Sequence, residues 1–257
     1  MTFALVNVLI VGALFGGMLA LQEAGRRLGE RDRRKQPGNE TRNAVAAEGA
    51  VYGLLGLFIA FTFYGAGARY EERRHLAVEE ANAIGTAWRR IDMLPEDMQS
   101  DLRDFFRQYA DARLDYYRHL PNLVAVEPIR VKLRALQDEI WSSGVAAAYE
   151  SGRVPLFTVF LPALNEMIDI TTTREEAIRL HPPAAVFLMV AILALIGSVF
   201  AGYGMAGRAR SWVHTLGFAA VITMALFVIL DLEFPRLGLI RVDAADSMLL
   251  DVRRSMR

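Results

Sequence analysis

This chain of 257 residues has no cysteine and, with 29 basic against 29 acidic side chains, no formal net charge. The first absence excludes disulfides, thiol catalysis and cysteine-ligated metals, without fixing a compartment. The second means that net charge implies no polyanion partner, and no nucleic acid is expected. There is no strand-like alternation of any length and no internal repeat. Neither a glycine-rich nucleotide loop, a nucleophile elbow nor a pair of catalytic acids stands out, so an enzyme is disfavoured and no cofactor is expected. The four histidines, His75, His119, His181 and His214, are scattered and make no ligand set. His75 and Glu79 stand one turn apart, which reads as a solvated helical pair. Ahead of Arg26 there is neither the basic n-region of a secretory signal nor a convincing small-x-small cleavage pattern, so the first apolar stretch is read as retained.

What the chain has is apolar length. It is 53% hydrophobic yet 23% charged, with a mean hydropathy of +0.24, so its charges must be segregated from its apolar runs. Four uncharged stretches, at residues 2–21, 49–68, 183–207 and 211–230, each match the roughly 20 helical residues needed to cross a bilayer. Inside lipid a segment must satisfy its own backbone, which selects continuous helices. The reading is an all-α integral membrane protein with four transmembrane helices in two hairpins. Residues 1–68 make the first hairpin with a basic loop at 22–48, 69–182 an extramembrane helical domain, 183–230 the second hairpin and 231–257 a tail.

Basic residues argue for an orientation. The loop after span one carries Arg26, Arg27, Arg31, Arg33, Arg34, Lys35 and Arg42, while the segment before that span has no basic side chain. The positive-inside rule makes this loop cytoplasmic, puts Arg208 and Arg210 on the same side and sends the middle domain outward. Arg69, Arg73, Arg74, Arg174, Arg179, Arg236 and Arg241 flank the membrane on the other side, although long domains count less in that rule.

Span two is expected to run on without a breaker into an amphipathic helix, since Ala77, Ala81, Ile84, Trp88 and Ile91 recur at three and four residue steps. Leu94-Pro95-Glu96-Asp97 closes that helix and opens another toward Arg118. The segment from His119 to Pro121 reads as a break. Pro128 is expected to start a third helix toward Tyr149, ended by Ser151-Gly152. A fourth runs from about Pro155 to Leu180, with Pro162 a kink, until His181-Pro182-Pro183.

The segments EEANAIGTAW (79–88), LPED (94–97), ALNEMIDI (163–170), PPA (182–184), GYGMAGR (202–208) and DLEFPRLGLIRV (231–242) resemble an uncharacterised bacterial family of bestrophin-like membrane proteins. The resemblance covers nearly everything from Glu48 to Val242. It implies a bacterial inner-membrane location and a distant similarity to bestrophins, pentameric ion channels with four membrane helices per subunit and a helical soluble domain around a pore. In bestrophins the second membrane helix lines the neck and the soluble domain is cytosolic, opposite to the placement by basic residues. The tail after Val242 departs from the family pattern.

Candidate site residues fall in four groups. Gly12 with Gly16 and Gly49 with Gly53 have the spacing that lets helices approach closely in lipid, within the subunit or at subunit seams. In a symmetric homo-oligomer Phe58, Phe61 and Phe63 with Thr62 would form an apolar constriction able to gate ions by dewetting. Asn82 and Thr86, and Asn165 and Asp169, are pairs one turn apart. With Glu166 they read either as an interhelical network or solvated face, or as a polar conduit. Asp231 and Glu233, after span four, are a weak cation site by likeness to the acidic cluster of bestrophins, with salt bridges to Arg236 or Arg69 the better explanation. The expected partners are the lipid bilayer, further copies of the chain and ions. The alternative function is a non-conducting envelope protein whose helical domain binds a partner or senses membrane state.

Overall fold

The computed structural model describes residues 2–35, 42–120 and 122–256, and every regular element among them is helical. The long helices are α1 (Thr2–Lys35), α2 (Arg42–Arg90), α3 (Gln99–His119), α4 (Leu123–Ser151), α5 (Leu161–Arg179), α6 (Ala184–Gly204), α7 (Trp212–Glu233) and α8 (Asp243–Ser255). Four helical stretches are long and apolar enough to cross a membrane, and each covers most of one of the four apolar runs of the sequence. The chain is an all-α integral membrane protein. Residues 36–41 of the basic loop, and Pro121 in the expected break, lie outside the described residues.

Two compact units divide the chain, one of Met1–Ala68 with His181–Leu239 and one of Arg69–Leu180 with Ile240–Arg257. In the first, α1 packs along α6 and α7. The contact that sets their closeness is at Gly25, Gly29 and Gly202. A Cβ on Gly25 would run into the Val199 carbonyl, one on Gly29 into Ala206, and one on Gly202 into the backbone of Gln22. Small residues thus let these helices touch backbone to backbone, where dispersion rather than hydrophobicity drives association in lipid. The expected glycines are not the ones used within the chain. Gly12, Gly16, Gly49 and Gly53 have no described atom within 4 Å of where a Cβ would stand. Spacing identifies a helix face able to pack, but only the crossing points decide which face does. Met18, Val190, Ala194, Ala219, Ile222 and Ile229 form the core of this unit with Leu55 and Ala66 of α2.

The second unit begins with the last part of α2, which runs past Ala68 to Arg90 as the amphipathic pattern predicts. Ile84, Trp88 and Ile91 face a core of Phe106, Tyr109, Ile140, Phe160, Leu164 and Met167. Arg73 is buried and donates to the carbonyls of Ala177 (3.0 Å) and Leu180 (3.1 Å), closing the C-terminus of α5. Two proline expectations need adjusting. Helix α4 starts at Leu123 rather than Pro128, because Asn122 Oδ1 accepts from the N–H groups of Val124 and Ala125 and nucleates it earlier. Gly152, at φ 62°, ends it as expected. Pro162 has no N–H for the carbonyl one turn back, and the residues before it, Leu156–Phe160, form a π-helical turn. The tail folds as α8, where Leu249 and Met256 are buried and Arg253 makes a forked ion pair to Asp111 at 2.8 and 2.9 Å.

Candidate functional site

At the centre of the second unit lies a carboxylate with no exposure to solvent, Glu80 of α2. Arg113 Nε of α3 donates to its Oε1 at 2.6 Å and the Tyr117 hydroxyl to its Oε2 at 2.7 Å, while Arg174 of α5 pairs with the same Oε2. Each arginine has a second acid: Arg113 reaches Glu175 at 3.0 Å and Arg174 reaches Asp246 of α8. The Arg174 guanidinium also sits 3.8 Å over the Tyr117 ring. Burial alone would push the Glu80 carboxyl up, but the facing Arg113 and Arg174 charges and their hydrogen bonds hold it below its ordinary value. Burial likewise pushes the neighbouring Tyr109 hydroxyl up to about 12. Three helices therefore meet on one ionised group, and α8 joins them through Arg174. The sequence carried a signal for it, since Glu80 stands three residues after Ala77 and four before Ile84, a charge on the apolar stripe.

On the outer side of α2, Glu79, Asn82, Ala83 and Thr86 face Glu166 and Ile170 of α5 across a groove of about 320 Å³. Three of the five expected polar residues, Asn82, Thr86 and Glu166, thus share one wall-to-wall site. Asn165 and Asp169 do not line it. They are exposed and bonded to each other, Asn165 Nδ2 donating to Asp169 Oδ2 at 2.6 Å. Glu79 and Glu166 give the groove a negative character, and Asn82 and Thr86 add neutral oxygens.

In the membrane unit the three pore candidates separate. Phe58 is half-buried against the apolar core, and Thr62 one turn on donates its hydroxyl to the Phe58 carbonyl at 2.6 Å. Phe61 is 64% exposed, beside exposed Leu57 and Tyr64, and only 11% of this span is buried by the rest of the chain. Span two is held to its neighbours through Tyr52, whose hydroxyl lies 3.2 Å from the Gly197 carbonyl and whose ring meets Phe218 edge-on.

Beyond span four, Asp231 accepts the Leu239 N–H with oxygens at 2.9 and 3.0 Å, folding the Phe234–Leu237 turn back on the helix end. Gly238 makes this approach possible, because a Cβ there would strike the Asp231 carboxylate. Glu233 is fully buried, 2.9 Å from His181 Nδ1, and that ring stacks on Phe234. Among the described residues no group of three or more His, Asp or Glu side chains is arranged to hold a metal ion.

The model of the bestrophin-like domain matches residues 12–246, more than nine-tenths of the chain. The chain belongs to the bestrophin-like family. No curated protein and no solved structure matches it. Within this bestrophin-like chain the matched region takes in the second half of span one, the other three spans, the Glu80 cluster and both walls of the groove, and it ends at Asp246, the residue of α8 that pairs with Arg174.

Proposed function

We propose that this bestrophin-like protein is a homo-oligomeric ion channel with span two nearest the symmetry axis. The observation that supports it is a stripe on α2. Leu57, Phe61, Tyr64, Ala68, Glu72, His75, Glu79, Asn82 and Thr86 recur at three and four residue steps, and all but Thr86, which is half-buried, are exposed. A helix carrying one continuous uncovered face, apolar within lipid and polar beyond it, suits a conduit surrounded by copies of the same helix. Phe61, flanked by Leu57 and Tyr64, is then the constricting side chain, with Phe58 and Thr62 supporting it from behind. The groove with Glu79, Asn82, Thr86 and Glu166 is the hydrated, acidic part of the path.

Particle symmetry of the detergent-purified protein, followed by current recording in planar bilayers, tests this. A ring with α2 innermost and Phe61→Ala altering conductance fits; well-formed rings that stay silent across the gating conditions, or monomers, do not. The alternative is a non-conducting envelope protein whose helical domain binds a partner, and the same groove, with exposed Val124, Val131, Tyr149 and Val154 on that unit, is what favours it. We place the chain in a bacterial inner membrane, with the middle domain outward on the strength of the basic loop. A cysteine at the exposed Ser142 reports the side: labelling of intact, outer-membrane-permeabilised cells by an impermeant thiol reagent fits, and labelling only after lysis puts the domain in the cytosol.

A further inference from the structure

Between Gln22 and Lys35, the last part of α1, three acids stand against six bases, and every one of those acids is engaged. Glu30 pairs with Arg26 at 3.1 Å, and Glu23 holds both Arg27 at 3.0 Å and Arg210 at 3.3 Å. Asp32 accepts the Tyr203 hydroxyl at 3.1 Å. The uncompensated bases lie on one side of the helix. Arg31, Arg34 and Lys35 are exposed with no partner among the described residues, and Arg27, 71% exposed, engages only its Nε. At 100° per residue these four share the face opposite Gly25 and Gly29, the residues that touch α6.

That face does not begin at the arginines. Leu9, Ala13, Gly16, Ala20 and Ala24 recur on it at three and four residue steps, all exposed, and Arg27, Arg31 and Arg34 continue the same series. One uncovered side of α1 thus changes from apolar to cationic at Arg27. The level of that change matches the edge of the bilayer. Gln22 Nε2 donates to the Thr215 carbonyl at 3.2 Å, which sets the first turn of α7, with Trp212 56% exposed, beside the turn of α1 that precedes Arg27. An exposed tryptophan at a span end belongs where headgroups meet acyl chains. With a rise of about 1.5 Å per residue, Arg27 and Arg31 then fall in the headgroup layer, and Arg34 and Lys35 stand about 4–6 Å beyond Arg31. That is within a Debye length of the surface charge.

We propose that this outward face of α1, from Arg27 to Lys35, binds the headgroups of anionic phospholipids. The phosphate meets the guanidinium ends of Arg27 and Arg31. Arg34 and Lys35 add an attraction that a headgroup carrying its own ammonium cancels. Continuity of the face selects a lipid over a soluble polyanion, because a molecule seated on these arginines lays its acyl chains along Ala24, Ala20 and Ala13 below. Such binding does not depend on whether the chain conducts ions.

The test gives phosphatidylglycerol, phosphatidylethanolamine or phosphatidylcholine in turn to the purified full-length protein in detergent, and counts retained lipid by native mass spectrometry. Phosphatidylglycerol should be retained about tenfold better than either zwitterionic lipid, and inorganic phosphate should not displace it. Combining Arg31→Gln, Arg34→Gln and Lys35→Gln should weaken its retention by about fivefold per charge removed, with the mass of the oligomer unchanged. Arg208, whose carbonyl accepts from Arg26, lies at the same end but off this face. Arg208→Gln should change retention by less than about twofold, since salt screens a charge beyond the contact. Equal retention of the three lipids overturns the proposal, as does a preference that outlives the triple variant or is lost equally in Arg208→Gln. Displacement by millimolar inorganic phosphate also overturns it and leaves an anion site without a lipid. A changed oligomer mass in the triple variant overturns it too, and assigns the face to a subunit seam. The lipid series uses the unaltered protein, so it decides even if the triple variant fails to fold.

Discussion

Glu80 and Arg174, 94 residues apart in the chain, form a fully buried ion pair that joins α2 to α5. Arg174 in turn holds Asp246, so the same cation connects the helix leaving the membrane with the tail. Removing one member of such a pair leaves the other charge buried without compensation, and that cost exceeds what the pair contributes when whole.

Glu80→Ala should therefore lower the stability of the helical domain by about 3–5 kcal/mol. The pH dependence has a defined sign. Because the folded Glu80 carboxyl titrates below its ordinary value, its contribution is complete above that value and is lost as the pH falls through the depressed one. Thermal melts of the wild type should show a steep loss at acid pH that is flattened in Glu80→Gln. A parallel loss in both proteins would assign acid sensitivity to other groups.

The two sets of glycines should respond oppositely. Gly25→Val and Gly202→Val insert atoms where α1 and α6 touch, and should abolish monodisperse protein in size-exclusion chromatography. Gly12→Ala and Gly53→Ala add a methyl to open space and should leave the subunit intact. If those open glycines lie at subunit seams, Gly53→Leu should shift the oligomer toward smaller species while the melting of the subunit stays put.

Phe58 and Phe61 are predicted to separate stability from conduction. Truncating the half-buried Phe58 ring to alanine should cost about 1–2 kcal/mol. Phe61→Ala, in an exposed ring, should stay within about 0.5 kcal/mol of wild type and change single-channel current. An equal stability loss in both variants would mean that Phe61 is covered within the subunit.

Asp169→Ala should change stability by less than about 1 kcal/mol, since its bond to Asn165 is exposed. Glu166→Gln, on the groove wall, should shift the reversal potential toward lower cation preference while melting is unchanged. Melting curves with and without added cations beside a reversal-potential assay separate the two residues. A reversal potential that moves with Asp169 rather than Glu166 would relocate the ion path.

Much of the architecture is a one-dimensional property of this chain. Four apolar runs of bilayer length, no strand-like alternation and an amphipathic continuation after Ala68 dictate an all-helical membrane protein, because lipid leaves the backbone no other way to bond. The run-on of span two to Arg90 and the glycine that stops α4 follow from local chemistry at those positions. The Glu79–Glu80 doublet shows where that reading ends. Two adjacent identical residues lie 100° apart on a helix, and only the packing of α3 and α5 decides that Glu80 is sealed against two arginines while Glu79 borders an open groove. Likewise Asn82, Thr86 and Glu166 face one another although Asn165 and Asp169, with the same spacing, look away. Which glycines touch, which phenylalanine is covered and which acid is neutralised depend on residues tens of positions distant, whose charge and volume a local pattern does not contain.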